Sequence, residues 1–223
     1  MALIGISGKL GSGKDTVGEI IQYLTGVDAD GKFTKGLNWS YSSNFEIKKF
    51  AGKLKMVGAL LSGADVKDFE DQGFKKRDMS SEWGMTYREF LQKLGTEAMR
   101  DGLHTNVWVN ALFADYKGLV KEWDEFGNDL LVEYPNWVIT DMRFPNEMEA
   151  IEERGGITIR VERPKPREMF LMNATTVIDT RIPEHPSETA LDDARFDYVI
   201  DNDGTLDELV QKVKDILIEE GIL

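Results

Sequence analysis

The sequence predicts an α/β fold in which a parallel sheet is covered by helices on both faces. The chain opens with an apolar run, residues 3–6, that leads through a glycine-rich loop into an amphipathic helix. Apolar runs of strand length then alternate with helical periods, as in connected βαβ units. One later run, residues 136–141, ends in an acid. That is typical of a parallel strand that delivers a carboxylate to the carboxyl edge of a sheet.

The loop after the first strand has the residues of a phosphate-binding loop. Gly8 and Gly13 stand at the first and sixth positions of a G-x-x-x-x-G-K motif, and Lys14 follows. Gly11 and Gly13 permit backbone angles that turn successive N–H groups toward phosphate oxygens, and the helix adds its positive end. Lys14 would bridge the β- and γ-phosphates of a nucleoside triphosphate. A ligand-free glycine turn is the alternative, but such a turn needs no lysine.

The residue after the lysine departs from the usual motif. A Ser or Thr there would reach Mg²⁺, whereas this chain has Asp15, with the hydroxyl one place later at Thr16. The ending resembles those of small-metabolite and nucleotide kinases more than those of GTPases or motor ATPases. It leaves open which residue contacts Mg²⁺ directly.

Composition excludes several classes of protein. The chain has 223 residues, no cysteine and two histidines, which excludes a disulfide framework and argues against a zinc site. A net charge of −13 argues against a nucleic-acid-binding surface, but it permits a local basic pocket for a small anion. Because no apolar run reaches about 18 residues and no leader precedes the first strand, we expect a soluble, cytoplasmic protein.

The first half of the chain predicts the following elements. Residues 26–44 are polar and glycine-rich, which indicates a loop or an excursion with a hairpin. A strand is expected over 45–50, a helix over 51–61 and a flexible flap outside the core over 62–85.

The middle of the chain predicts two helices. Thr86-x-x-Glu89 is a capping box that opens a helix with an apolar face as far as Ala98, and residues 95–97 interrupt that helix. A second helix is expected from about residue 105, with an apolar face that includes Leu119.

The second half returns to alternating strands and helices. The strand over 136–141 is followed by a helix that Pro145 begins and a glycine pair ends, and then by a strand over 157–161. Residues 163–190 hold four of the six prolines and are expected to form a long excursion. The last strand is expected over 198–200 and the last helix over 205–218.

Several groups of residues together carry a resemblance to a known family. They are Ser7-Gly8 with residues 12–16, Ala51-Gly52 with Lys55, Leu94-Gly95-Thr96, Trp108-Val109, Asp141-x-Arg143 with Glu147-Met148, Arg163-Pro164, His185-x-Ser187-Glu188, and residues 202–209. In this combination the chain resembles the bacteriophage deoxynucleoside monophosphate kinases, a branch of the P-loop nucleoside monophosphate kinases. The phosphate loop alone is shared with many functions, whereas the combination of groups is narrower.

The resemblance implies a fold and its division into parts. We expect one P-loop NTPase domain of three layers, α/β/α, around a central parallel sheet, with a flap for the acceptor nucleotide and a lid. The core would comprise residues 1–26, 45–61, 136–162 and 197–220. The acceptor region would lie at about 62–110 and the lid at about 163–190.

The resemblance also implies site residues. ATP would be bound by Gly8, Lys9, Gly11, Ser12, Gly13, Lys14, Asp15 and Thr16. The acceptor would be bound by Lys55, Arg77, Arg88, Gly95, Thr96, Trp108, Asp141, Arg143 and Glu147. Catalysis would rest on Lys14, Arg88, Arg163 and Arg167, and Mg²⁺ would be held by Asp15, Thr16 and Asp141, in part through water.

Three of these residues keep a second interpretation. Trp108 lies on an apolar helical face and is equally consistent with a core residue. Arg143 is four residues before Glu147, so the two side chains also fit a structural pair. Asp141 fits either an acid near Mg²⁺ or a nucleoside contact.

The implied activity is transfer of a phosphoryl group from ATP·Mg²⁺ to a deoxynucleoside 5′-monophosphate, for deoxynucleotide supply in phage DNA synthesis. The expected partners are small nucleotides, without nucleic acid or membrane, and the protein would act in the host cytoplasm as a monomer or homodimer. Two alternatives remain open: a P-loop kinase of another small phosphorylated metabolite, and an ATP-binding switch module with slow hydrolysis.

Overall fold

The computed structural model describes residues 2–27, 32–40, 43–123, 129–163 and 189–223. The strands are β1 (Leu3–Ser7), β2 (Phe45–Lys48), β3 (Leu119–Trp123), β4 (Asp129–Glu133), β5 (Asn136–Met142), β6 (Ile157–Glu162) and β7 (Tyr198–Asp201). The α-helices are α1 (Lys14–Leu24), α2 (Phe50–Ser62), α3 (Gln72–Lys75), α4 (Tyr87–Gln92), α5 (Val107–Phe113), α6 (Pro145–Glu152) and α7 (Leu206–Glu219). A 3₁₀ helix spans Val66–Glu70, and a π-helix spans Lys93–Asp101.

The chain forms two compact units. Unit 1 comprises Met1–Ile47 and Pro135–Leu223, and unit 2 comprises Lys48–Tyr134. Among the described helices of both units, none combines the length and apolar character that a bilayer crossing needs.

Unit 1 is built on a five-stranded sheet in the order β2-β5-β1-β6-β7. β1 pairs in parallel with β5 on one side, where Leu3 lies opposite Trp137, and with β6 on the other, where Ile4 lies opposite Ile157. β7 extends the sheet in parallel from β6. All five residues of β1 are buried, as expected of a central parallel strand. The predicted parallel sheet is therefore confirmed.

Helices cover both faces of this sheet. On one face, Ile4 and Ile6 share a core cluster with residues of α1 and α7, among them Ile20 and Val213. On the other face, a Cβ added at Gly5 would lie 2.5 Å from Cδ1 of Ile151 in α6, so glycine permits the close approach of that helix. Unit 1 is thus the three-layer α/β/α arrangement that the sequence predicts.

Unit 2 has a core of its own around Phe69. This ring is fully buried and lies 5.8 Å from the ring of Phe74 and 5.9 Å from that of Tyr87. The prediction that residues 62–85 lie outside the core is wrong at Phe69, whereas their predicted flexibility stays a prediction. Asp65 and Asp71 accept hydrogen bonds from backbone N–H groups at the starts of two short helices, and these caps order a stretch that has no long helical period.

Two element boundaries also differ from the prediction. Phe50 was expected at the end of a strand but begins α2, where it is buried. Leu119 was expected on a helix, but α5 ends at Phe113, and Leu119 instead pairs with Glu133 in the antiparallel hairpin β3–β4. Leu119 of β3 happens to continue the apolar spacing of α5, which is why the sequence pattern placed it on the helix.

Other local predictions hold. Thr86 and Glu89 form the capping box at α4, and the expected interruption at 95–97 lies inside the π-helix. Pro145 begins α6, and Gly155 follows its end with φ +69°. Of the expected lid, only residues 163, 189 and 190 are among the described residues.

Candidate phosphate-binding site

The loop between β1 and α1 has the backbone conformation that its glycines predict. Gly11 has φ +79° and Gly13 has φ +103°, a region that residues with a Cβ rarely adopt. Gly13 is the residue before the first turn of α1, and its carbonyl accepts a hydrogen bond from Val17 N at 2.9 Å. A side chain at Gly8 would lie 2.6 Å from the carbonyl oxygen of Val161. The structure therefore explains three glycines of the loop. Gly11 and Gly13 are favoured by their positive φ angles, and Gly8 by the close approach of the Val161 carbonyl.

Asn202, the residue after β7, holds the loop by a side-chain hydrogen bond. Asn202 donates from Nδ2 to the carbonyl of Ser12 at 2.8 Å, and its own backbone N–H donates to Glu162 at 2.7 Å. A Cβ at Gly13 would lie 2.5 Å from that Nδ2 atom. No role for Asn202 itself was predicted from the sequence, where its signal was its position in the 202–209 group after a strand.

The start of α1 places three polar side chains beside the loop. Lys14 is only 7% exposed, and its Nζ donates to the carbonyl of Lys9 at 3.4 Å. Asp15 is exposed, and its Oδ1 accepts from the hydroxyl of Thr140 on β5 at 2.9 Å. Thr16 is buried. The hydroxyl of Ser12 is also buried and has no hydrogen-bond partner among the described residues.

A cavity of about 350 Å³ opens beside this loop. Its walls combine basic and acidic side chains, loop backbone and apolar side chains, which suits a ligand with both a polar and an apolar part. Of the proposed catalytic arginines it includes Arg163, while Arg167 lies outside the described residues. The lining residues are Leu10, Gly11, Gly13, Lys14, Asp15, Thr16, Glu19, Lys35, Arg163, Asn202, Gly204, Leu206 and Leu209.

A charged network lies at the start of the loop. The carboxylate of Asp192 contacts Lys9 Nζ at 3.2 Å and Arg160 Nη2 at 2.8 Å. Arg160 is 8% exposed, and its Nη1 donates to the buried hydroxyl of Ser7 at 3.3 Å. Desolvation opposes ionisation of Asp192, but its bonds to Arg160 and Lys9 together outweigh desolvation and hold the pKa of Asp192 below its usual value.

The turn after β5 holds the proposed acceptor contacts of unit 1. Glu147 is 3% exposed, and its Oε2 accepts from the backbone N–H groups of Arg143 at 2.7 Å and Phe144 at 3.2 Å. Glu147 therefore fixes the start of α6 through the backbone of Arg143. Asp141 lies next to last in β5, at the carboxyl edge of the sheet.

Basic side chains of unit 2 lie around α3 and the 3₁₀ helix before it. Arg88 donates from Nη2 to Gln72 Oε1 at 2.9 Å, and Lys55 pairs with Glu70 at 2.6 Å. Burial lowers the pKa of the Lys75 ammonium, and the nearby charges of Lys55 and Arg88 lower it further. Lys55 and Arg88 each lie close enough to Lys75 to repel its charge, and the carboxylates of Glu70 and Asp71 offset part of that repulsion.

The remaining proposed residues of unit 2 lie near its π-helix or shortly after α3. Trp108 is 6% exposed and donates from Nε1 to the carbonyl of Gly95 at 2.9 Å. Thr96 follows within the π-helix and is partly buried. The guanidinium carbon of Arg77 lies 5.7 Å from the ring centroid of Phe74. Trp108 accordingly shapes the protein interior and holds the irregular helix in place.

The described residues contain no group of three or more His, Cys, Asp or Glu side chains that could hold a metal ion. Asp15 and Thr16 supply oxygen atoms, the ligand type that Mg²⁺ prefers, and Mg²⁺ commonly keeps several water ligands. The residues present fit a Mg²⁺ ion that is bound mainly by phosphate oxygens and water.

Comparison with known proteins connects this site to a family. A model of the family described as deoxynucleotide monophosphate kinase matches residues 46–213. A putative deoxynucleotide monophosphate kinase of Acanthamoeba polyphaga mimivirus is 30% identical over 96% of this chain and 94% of its own length. The deoxynucleotide monophosphate kinase of Enterobacteria phage T4 is 26% identical over 97% of this chain and 99% of its own length.

A solved structure of shikimate kinase from Bacteroides thetaiotaomicron covers 97% of this chain and 98% of its own, at 14% identity and a TM-score of 0.38, too low to support an argument. The family model begins after the phosphate loop, whereas the two viral relatives align over almost the whole chain. The chain belongs to the deoxynucleotide monophosphate kinase family.

Proposed function

We propose that this protein transfers the γ-phosphoryl group of ATP to the phosphate of a deoxynucleoside 5′-monophosphate, giving a deoxynucleoside diphosphate and ADP. The match to the family model over residues 46–213 carries this proposal. The loop geometry at residues 8–14 supports it independently, since that part of the chain lies outside the match. Viral relatives favour a role in supplying precursors for DNA synthesis in the cytoplasm of an infected cell.

Little proton transfer is needed for this reaction. The acceptor phosphate is already an anion, so catalysis consists of alignment and of neutralising the charge that develops on the transferring group. Lys14 would contact the β- and γ-phosphates, and the N–H groups of the loop and of the first turn of α1 would bind their oxygens. We expect no general base.

The donor nucleotide would occupy the cavity beside the loop. Its phosphates would lie against Gly11, Gly13 and Lys14, with the unpartnered hydroxyl of Ser12 as a further donor. Asp15, Thr16 and Asp141 would hold Mg²⁺, in part through water, and the ion would offset charge on the phosphate oxygens. Arg163, and Arg167 outside the described residues, would meet the transferring group.

Basic side chains would bind the phosphate of the acceptor, and other polar and acidic side chains are proposed for its nucleoside. Lys55 and Arg88 would hold its phosphate, since both lie near Lys75 and the three side chains bring positive charge to this region of unit 2. Arg77 lies close by on the same segment. Gly95, Thr96 and Trp108 of unit 2 would shape the nucleoside site. For Asp141, Arg143 and Glu147 of unit 1, a contact to sugar or base is proposed from the family resemblance alone.

A panel of monophosphates tests the proposed substrate class. With ATP and Mg²⁺, we expect faster turnover of dGMP than of GMP, with dTMP, dCMP and dAMP measured alongside. A packed sugar edge leaves an added 2′-hydroxyl clashing or unpaired, which costs on the order of 1–3 kcal/mol, or roughly ten- to a hundredfold in kcat/KM.

Each other outcome of the panel has a definite meaning. Equal rates for ribo- and deoxynucleotides would remove the sugar preference and leave the kinase. No turnover with any nucleotide would contradict the proposal and favour a kinase of another phosphorylated metabolite. ATP hydrolysis that no monophosphate accelerates would favour a switch module.

A further inference from the structure

The network around Asp192 connects the phosphate loop to a distant part of the chain. One carboxylate oxygen contacts Arg160 Nη2 at 2.8 Å, and the other contacts Lys9 Nζ at 3.2 Å. Leu191 beside it is 3% exposed and anchors the segment. Asp192 is therefore held from behind by β6 and by a buried neighbour, with its second oxygen directed at the loop.

Arg160 makes this arrangement more than a surface ion pair. Its side chain is 10% exposed, it donates to the buried hydroxyl of Ser7, and its guanidinium carbon lies 5.6 Å from the ring centroid of Phe196. A buried guanidinium needs a compensating anion, because an uncompensated buried charge is strongly destabilising. Two carboxylates compensate this charge, Asp192 at 2.8 Å and Glu162 at 3.7 Å, so Arg160 holds Asp192 through the shorter of its two ion pairs.

Lys9 connects Asp192 to Ser12 and Lys14, the two residues expected to contact phosphate. Its carbonyl accepts a hydrogen bond from Ser12 N at 3.1 Å and from Lys14 Nζ at 3.4 Å. Lys9 itself is absent from the residues that line the cavity, whereas Lys14 is among them. The side chain of Lys9 anchors the loop to Asp192, and its backbone orients the turn.

We propose that Asp192 is a positioning residue for ATP binding: held by Arg160, it fixes Lys9 and thereby the turn that presents Ser12 and Lys14 to the phosphates. The inference rests on the proposed function insofar as the loop binds ATP. It adds a residue that acts through Lys9 and does not itself touch the nucleotide. It also gives Lys9 a structural task in place of direct phosphate binding.

The expected effect is confined to the donor nucleotide. Asp192→Asn should weaken the affinity for a fluorescent ATP analogue with Mg²⁺, and raise the KM for ATP, by about two- to fivefold, the range for a partly exposed ion pair. The KM for the monophosphate should stay unchanged. Asp193→Asn is the matched control, because it removes the same charge from a side chain that makes no hydrogen bond or ion pair within the described residues.

A double-mutant cycle tests whether Asp192 acts through Lys9. Lys9→Met should reproduce the loss of affinity, and adding Asp192→Asn to Lys9→Met should cause little further loss. Asp192→Glu should restore part of the affinity. Thermal unfolding of each variant checks folding, and if Asp192→Asn does not fold, Lys9→Met measures the same pair from its other side.

Several results would overturn the inference. They are unchanged or tighter ATP binding in Asp192→Asn, an equal loss in Asp193→Asn, fully additive losses in the cycle, or a matching rise in the KM for the monophosphate. The binding measurement does not depend on turnover. A protein that binds ATP but phosphorylates no deoxynucleotide would contradict the proposed function and leave the Asp192 inference standing or falling on affinity alone.

Discussion

Lys14 combines a charge with near-complete burial at the start of α1. Its ammonium contacts the carbonyl of Lys9, and a phosphate oxygen would add a charge-assisted hydrogen bond to it. Lys14→Ala should lower kcat by about a hundredfold or more, since the lost charge acts mainly in the transition state. Steady-state kinetics measures this, with Lys214→Ala, an exposed lysine of α7, as the control. Near-normal turnover in Lys14→Ala would remove the loop from the active site.

Arg88 offers a separate test on unit 2. Its guanidinium is exposed and donates to Gln72, beside Lys55 and Lys75. Arg88→Ala should raise the KM for the monophosphate by about tenfold, the loss expected for one charge-assisted hydrogen bond, and leave the KM for ATP almost unchanged. Lys76→Ala removes a neighbouring exposed charge as the control. Equal effects on both nucleotides would place Arg88 outside the acceptor site.

At the scale of the element, capping decides where helices begin. In α7, Thr205 Oγ1 accepts from Glu208 N at 3.3 Å, and Glu208 Oε2 accepts from Thr205 N at 2.6 Å. The hydrogen bond from the backbone of Thr205, followed by that from its hydroxyl, lowers the pKa of Glu208. This stabilisation is complete above the unfolded pKa of about 4.3 and is lost as pH falls through the lower folded pKa.

Glu208→Gln should therefore lower the melting temperature at pH 7 by about 1–3 °C, whereas the difference from the wild type should shrink at pH 3. Thermal unfolding followed by circular dichroism at both pH values measures it. Glu149→Gln on α6 is the control, since that exposed side chain makes no hydrogen bond or ion pair within the described residues. A difference that is the same at both pH values would show that the charge of Glu208 does not contribute.

Local signals predicted most of the elements. Glycines at positive φ, capping boxes and buried apolar runs act within a few residues, so β1, α1, α4 and β5 could be read from the sequence. Phe69 and the hairpin β3–β4 could not. The placement of Phe69 depends on short helix caps, and the hairpin depends on cross-strand pairing. Neither the helical period of about 3.6 residues nor the strand period of about two describes these contacts.

At the scale of the whole molecule, the site depends on contacts between distant parts of the chain. Asn202 reaches Ser12 across 190 positions, and Thr140 reaches Asp15 across 125. No local pattern predicts such pairs, because the topology of the sheet brings them together. The sequence thus indicated the loop and its chemistry, while the groups that hold the loop in shape became visible only in the fold.

The net charge of −13 also has a meaning at this scale. A polyanion would need a broad basic face, whereas a mononucleotide needs only the few cations around the phosphate loop and around α3. An excess of acidic surface charge favours solubility, and it is compatible with the binding of a small anion that we propose at these local groups.

The most direct test of the central claim is the stoichiometry of the wild-type reaction. ATP, Mg²⁺ and a deoxynucleoside monophosphate are incubated with the protein, and ADP and the deoxynucleoside diphosphate are quantified by anion-exchange chromatography. We predict one diphosphate formed for each ADP, with almost no ADP when the monophosphate is omitted. ADP formation at the same rate without a monophosphate, or without any deoxynucleoside diphosphate, would contradict the assignment.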